Sequence, residues 1–339
     1  MKNKQVYKPL MVTIRCATFN HEFYIRKCLD GFIMQKTKFP FAAVVIDDAS
    51  TDKESEVLRK FINTELETSS IQKEETDDFV SIVAPHKRNK NCTFVFYFLK
   101  YNHYSIKKDK NAYFKKWIDK ARYIAYCEGD DYWTDPLKLQ KQYDALEKYP
   151  ECSYSSTGFI IKKNGEKDKD MTIYTANSND IDIYGIENYG KWIGKTLTLF
   201  LRSNIYEKYF NENIKKYEAP KDTHMLYHFL KQGKCAYIPL PMGVYNNNGQ
   251  GVWNSKSYAE KIFSSLKTRR EIYKKNNNDK DFYFAYINTI ILYLKHKEVK
   301  KNKFGIWCEG MIESNNLKDK LRITRSYLSY IKYYLQKHF

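Results

Sequence analysis

The sequence predicts an α/β fold: a mostly parallel sheet with flanking helices, extended at its C-terminus by a helical region. Three observations lead there. "FAAVVIDDAS" (41–50) is an unbroken apolar run closed by Asp47 and Asp48, the pattern of a strand buried on both faces. Strand-like and helix-like segments alternate through the first 85 residues, the order of right-handed β-α-β crossovers. Another apolar segment, "RYIAYCE" (122–128), again runs into carboxylates, at Glu128, Asp130 and Asp131.

Taken in order, "MVTIRCATFN" (11–20) reads as a buried strand ending in a polar loop. Residues 21–36 place Tyr24, Cys28 and Phe32 near helical spacing, an amphipathic helix. After the strand at 41–47, Ser50, Thr51 and Asp52 are cap-type residues for a helix reaching residue 66. The charged stretch 67–78 reads as a surface loop, and "DFVSIVAP" (78–85) as a third strand. Residues 91–121 read as two helical pieces around a lysine-bearing loop. Asp135 and Pro136 open a helix that Pro150 stops, with Leu139, Tyr143 and Leu146 as its apolar stripe. Residues 153–167 suggest a hairpin strand with an Asn164-Gly165 turn. A strand-into-helix segment at 194–205, a helix at 219–232 ended by Gly233, and a strand from 235 into a Gly/Asn-rich loop follow. From residue 255 the chain is mostly helical and basic, which divides it into residues 1–254 and 255–339.

The formal net charge is +18, from 58 Lys and Arg against 40 Asp and Glu, so polyanions are the expected partners: nucleic acid, anionic lipid or phosphorylated substrates. No apolar run approaches the roughly 18–20 residues of a membrane span, and residues 1–10 lack a signal-peptide core. The expectation is a cytoplasmic protein, with peripheral contact at the inner membrane as an extension of it. The seven cysteines are scattered without metal-ligand spacing and read as buried free thiols. Walker, dinucleotide-fingerprint and catalytic-triad patterns are not evident.

In an open parallel sheet, ligands bind outside the carboxyl ends of the strands. Asp47-Asp48 and Glu128-Asp130-Asp131 both fall at such ends, beside the loop that follows the first strand. Converging carboxylates repel one another. A hard divalent cation, Mn²⁺ or Mg²⁺, held by carboxylate oxygens and itself holding a diphosphate, resolves that repulsion. Asp135 and Asp52 read instead as helix caps. His224 and His228 share a helix face, but without a third ligand in view they make a poor zinc site.

Three segments resemble inverting glycosyltransferase family 2, with its GT-A (Rossmann-like) fold: "ATFNHEFYIRKCLDGFIMQK", "VVIDDASTD" and "YIAYCEGDDYWTDPLKLQKQYDAL". The resemblance covers about residues 10–155 and resumes weakly at 196–253. It implies that the loop of Thr18, Phe19, Asn20 and Glu22 packs against the nucleotide base, and that Asp47 or Asp48 contacts base or ribose. Glu128 and Asp130 stand where the family's DxD aspartates bind metal, with Asp131 directly after, although the first position is Glu here. The segment 86–89, through Arg88, falls where the family has a residue near the diphosphate. Asp222, at the start of the helix near 219–232, stands where the family places its general base; it reads also as an N-cap. Trp253, in a Gly/Asn-rich loop, stands where a sugar would stack. The implied partners are a nucleotide-diphosphate sugar, a UDP-sugar favoured, and a glycan or polyprenyl-linked acceptor in bacterial surface polysaccharide assembly.

Two rivals remain. A sugar nucleotidyltransferase would show a Gly-rich loop after the first strand, and "ATFNHEF" has no glycine. A non-catalytic nucleic-acid-binding protein suits the charge but gives no reason for an acidic cluster at a strand end, so nucleic acid is not the expected partner. The tail 319–339, projected as a helix, gathers Ile323, Tyr327, Leu328, Ile331, Tyr334 and Leu335 on one side and basic residues on the other. That pattern suits either a membrane interface or docking on its own domain.

Overall fold

A computed structural model of the chain describes residues 10–163, 172–175, 178–189, 194–247, 256–299 and 301–338. It opens with β1 (Leu10–Thr18), α1 (Ile25–Ile33), β2 (Phe41–Asp47) and α2 (Glu54–Glu65). All seven residues of β2 are buried, as a strand covered on both faces requires. Burying one such large apolar side chain is worth roughly 1.5–3 kcal/mol over leaving it exposed. α1 turns Ile25, Cys28, Leu29 and Phe32 inward at helical spacing.

The charged stretch expected as a loop contains β3 (Gln72–Glu75), a fully exposed strand at the sheet's edge. Its charged side chains discourage further pairing there. β4 (Phe79–Pro85) runs antiparallel to both β3 and β5 (Cys92–Leu99). β5 corrects the reading of residues 91–121 as two helical pieces. Phe94, Phe96 and Phe98 alternate with Val95, Tyr97 and Leu99, and all six are buried. Burial on both faces erases the period that separates strand from helix. The second piece alone is helical, as α3 (Asn111–Ile118).

β6 (Ala121–Tyr126), β7 (Tyr132–Trp133) and α4 (Lys138–Lys148) follow. α4 begins two residues later than expected, with Leu137 in place of Asp135 at its N-cap. Asp135 does not cap it directly; its carboxylate accepts Leu137 N at 2.7 Å in the turn before it. β8 (Cys152–Lys163) pairs antiparallel with β9 (Thr172–Tyr174), Phe159 opposite Tyr174, beyond the 153–167 span expected for a hairpin; the expected Asn164-Gly165 turn lies outside the described residues. Then come β10 (Asp182–Tyr184), β11 (Phe200–Arg202), α5 (Ser203–Lys208), α6 (Asp222–Gln232) and β12 (Lys234–Asn247). Gly233 separates the last two because a Cβ there would stand 2.8 Å from Glu151 O.

These strands form one sheet in the order β10-β12-β8-β11-β6-β1-β2-β5-β4-β3, with β7 paired to β12 and β9 to β8. The pairs β6-β1, β1-β2, β2-β5 and β12-β8 are parallel. The described residues fall into two compact units. One, Met1–Tyr184, Trp192–Asn211 and Gln232–Asn247, holds the sheet, with Ile14, Phe32, Val45, Phe96 and Ala125 in its core. The other, Gly185–Lys191, Glu212–Lys231 and Asn248–Phe339, holds most of α6 together with α7 (Tyr258–Lys275), α8 (Tyr283–Lys295), α9 (Lys303–Glu313) and α10 (Leu317–His338). Its core gathers Tyr227, Leu266, Tyr286, Ile290 and Ile323. Among the described residues, no helix is long and apolar enough to cross a membrane.

The tail helix departs from its projected face. Ile323 is fully buried and Tyr327 packs on the same core, whereas Leu328, Tyr334 and Leu335 are exposed. The six apolar residues grouped by sequence are therefore divided between a docked side and a bare one.

Candidate functional site

The carboxyl ends of β1, β2 and β6 lie side by side, with Thr18 opposite Asp47 and Arg15 opposite Tyr126. The β1–β6 ladder continues past both strands. Cys127 N donates to Arg15 O at 3.2 Å and Gly129 N to Ala17 O at 3.1 Å. This draws the turn Glu128–Asp131 against the end of β1. Gly129 permits the approach, since a Cβ there would fall 2.1 Å from Thr18 Oγ1.

The three carboxylates of the turn then part ways. Asp131 points inward and is 1% exposed; its Oδ1 accepts Asn246 N at 2.9 Å. The Asn246 side chain in turn donates to Asp130 O. Burial, then the charges of Asp130 and Glu128, hold the Asp131 carboxyl well above the usual range, and Lys195 pulls it back. β7 locks the turn by pairing Tyr132 and Trp133 with Val244 and Gly243 of β12. Asp130 and Glu128 keep partial exposure on the rim. The His21 imidazole lies 3.9 Å from Asp130 Oδ2. Burial lowers its pKa against the pull of Asp130 and Asp52.

The loop after β1 is latched to the loop after β2. Asn20, at φ 57°, accepts Thr51 N at 2.8 Å on its side-chain oxygen and donates its backbone N–H to Ser50 Oγ at 3.0 Å. Glu22 accepts Lys53 N at 2.9 Å, and its own N–H donates to Asp52. Asp52 also accepts Glu54 N in the turn before α2, but like Asp135 it does not cap the helix it was expected to cap: the N-cap position is Lys53. At the centre is Glu54, fully buried: it accepts from Thr18 Oγ1, from His21 N at 2.8 Å and from Ser50 Oγ at 2.9 Å. Burial, outweighing these hydrogen bonds, raises its pKa to about 7. Phe19 stays 40% exposed beside the latch.

Asp47 and Asp48 are buried and occupied by protein partners. Asp47 accepts Ser50 N and Ser55 Oγ. Asp48 accepts His103 N at 2.7 Å, Tyr104 N at 3.2 Å and the Lys110 ammonium, and so fixes the loop before α3. Thr18, Phe19, Asn20, Glu22, Asp47, Asp48, Glu128, Asp130 and Asp131 are thus gathered at one sheet edge.

Arg88 is not with them. It follows β4 and precedes β5, whose first residues pair with the start of β2. That places it at the amino edge, about 20 Å of strand away from Asp47. There it pairs with Glu65 at 3.1 Å and lines a groove with Lys36, His86 and Gln140. The antiparallel course of β4 carries the 86–91 connection to that edge. Asp222 opens α6 in the second unit and is exposed. Trp253 lies outside the described residues. His224 and His228 are buried in the second unit: His228 Nε2 meets Tyr217 Oη at 2.7 Å, and His224 Nδ1 accepts Lys221 N at 3.0 Å. Burial lowers their pKa values to about 4 for His224 and about 3 for His228. Among the described residues, no group of three or more His, Cys, Asp or Glu side chains converges as a metal site.

The sequence reading missed Glu54, His21, Gly129, Lys195 and Asn246. Glu54 looks like any acidic residue in a first helical turn, and Asn246 is remote in sequence from the turn it holds. The one available signal was the glycine inside "EGDD", placed where a close approach is needed.

No family model matches the chain. The uncharacterized proteins Rv1520 of Mycobacterium tuberculosis and Mb1547 of Mycobacterium bovis are 28% identical to it over 248 residues, 72% of this chain. The match spans 61% of the length of those relatives. Among solved structures, S. aureus TarS 1–349 in complex with UDP-GlcNAc aligns with a TM-score of 0.54 at 12% identity, over 97% of this chain and 92% of that one. The likeness is one of fold, and the fold is of the GT-A type.

Proposed function

We propose that the chain is an inverting glycosyltransferase that moves a sugar from a nucleotide-diphosphate donor, with UDP-sugars as first candidates, to a glycan or polyprenyl-linked acceptor in bacterial surface polysaccharide synthesis. The observation that carries the reading is the turn after β6. It sets Glu128 and Asp130 on the rim of the sheet's carboxyl edge while Asp131 anchors it from below. The GT-A type fold, shared with a protein solved with UDP-GlcNAc, supports it.

A divalent cation, Mn²⁺ or Mg²⁺, fits the donor set of Asp130 and Glu128. Both offer hard carboxylate oxygens at the rim, and the negative charge that each presents to buried Asp131 is what a cation offsets. When bound, it supplies positive charge against the departing diphosphate. The protein's own groups do the rest. Phe19 offers an exposed ring to the base beside the latch of Asn20 and Glu22, and Asp47 and Asp48 are assigned to the base or ribose on the family resemblance. The acceptor hydroxyl oxygen bonds to the anomeric carbon as the bond from that carbon to the diphosphate breaks. The hydroxyl proton passes to the Asp222 carboxylate, an assignment that rests on the family resemblance. Trp253 is assigned to the sugar on the same ground. In this reading residues 1–254 carry the transfer chemistry and 255–339 form a helical basic region.

The test is release of nucleoside diphosphate from a panel of nucleotide sugars in the presence of glycan or polyprenyl-linked acceptors. Loss of a general base costs about 10²–10⁴-fold in rate. Asp222→Asn therefore retains donor binding and loses transfer by at least about a hundredfold. Normal turnover in Asp222→Asn removes it as the base, and no release from any donor removes the activity.

A further inference from the structure

The hairpin of α9 and α10 carries a bare apolar ridge that neither the sheet nor the proposed chemistry uses. Leu317, Leu321, Leu328 and Leu335 are between 48% and 72% exposed. At about 100° per residue they fall within roughly 40° of one another, a line about 27 Å long. The side of α10 that docks on its own unit is elsewhere, through Ile323 and Tyr327. α9 borders the line on one flank, where Trp307 Nε1 donates to Thr324 Oγ1 at 3.2 Å and the Phe304 ring lies 6.5 Å from that of Tyr327. Phe304 is itself 62% exposed and Ile312, near the hairpin turn, 80%.

The other flank of the ridge is basic. Lys318, Arg325 and Lys332 recur every seven residues in step with Leu321, Leu328 and Leu335. Residues 317–339 contain six Lys and Arg and one acidic residue, Asp319, which is buried and paired with Arg322. A seven-residue leucine repeat suits a partner helix. In a self-paired coil, however, the Lys318–Arg325–Lys332 row would face charges of its own sign. A surface that is negative in its plane and apolar beneath it matches both rows at once.

We propose that this ridge is a docking surface for an anionic lipid leaflet. The helix lies flat, with its leucines in the acyl boundary and the basic row among the headgroups. The inference goes beyond the proposed activity and holds whichever donor the chain uses.

The test is co-sedimentation of the full chain with vesicles of pure phosphatidylcholine and of phosphatidylcholine with phosphatidylglycerol, together with sedimentation velocity without lipid. Binding is expected to the anionic vesicles alone, weakening as salt rises. Reversing two charges, Arg325→Glu with Lys332→Glu, should lower partitioning at least about 25-fold, since each surface charge is worth about fivefold. Leu321→Ser with Leu328→Ser should lower it at least about tenfold at unchanged melting temperature, these side chains being exposed. Equal sedimentation with both vesicle types, or with neither, overturns the proposal. So does a dimer without lipid that the leucine pair of substitutions dissociates, because the ridge then belongs to a second copy.

Discussion

Glu54 shows how one side chain sets both the shape and the pH response of the edge. Its pKa rises from 4.5 to about 7, so the folded chain holds a proton that the unfolded chain has released between those values. The stabilising contribution is complete below about pH 4.5 and is lost as pH rises through about 7, on the order of 3 kcal/mol in all. His21 acts in the opposite sense: with its pKa lowered, its contribution is gained as pH rises toward 6.5. The difference between two profiles isolates the carboxyl. The urea midpoint of the wild type should fall relative to that of Glu54→Gln as pH rises from 5 to 8. Parallel profiles would show that Glu54 does not take up the proton. Gly129 makes a steric prediction of the same kind. Gly129→Ala drives a methyl into Thr18, and overpacking of this sort costs about 1–3 kcal/mol. Unchanged stability in Gly129→Ala would mean that the turn does not sit against β1 as described.

At the scale of elements, β2 was legible because burial on both faces leaves an unbroken apolar run, and α1 because its inward residues keep helical spacing. β5, buried on both faces like β2, was not, since no acidic pair closes its run, which passes directly into Lys100, Tyr101 and Asn102. The acidic strand ends were legible as a group, but their division of labour was not. Asp48 reads in sequence as a nucleotide contact, whereas in the fold it accepts two backbone N–H groups and an ammonium from the segment 103–110. Arg88 was misplaced because the sequence does not say that β4 runs antiparallel. Asp48→Ala should leave two backbone donors and Lys110 without their acceptor, at about 2–4 kcal/mol. Hydrogen exchange at His103 and Tyr104 should then accelerate while exchange in β2 keeps its rank. If those amides stay protected, Asp48 is not what orders the loop.

For the whole molecule, a mixed sheet of GT-A type, twelve-stranded among the described residues, holds an acidic turn at its carboxyl edge. The strongly basic balance and the acidic turn are at odds only if both serve one partner. In the proposed reading, a phosphorylated donor held through a cation at the turn and an anionic surface met by α10 would separate the two roles. The central claim is the first of these. The measurement that tests it most directly is thermal unfolding of the wild type and Asp130→Ala with UDP, GDP, CMP, dTDP and their sugars, with and without Mn²⁺. A ligand at a hundred times its Kd adds about 2.7 kcal/mol to the folded state. One nucleotide diphosphate is expected to raise the melting temperature by several degrees only when metal is present, and Asp130→Ala to fold without responding. No response to any of them in the wild type, or an equal response in Asp130→Ala, would contradict it.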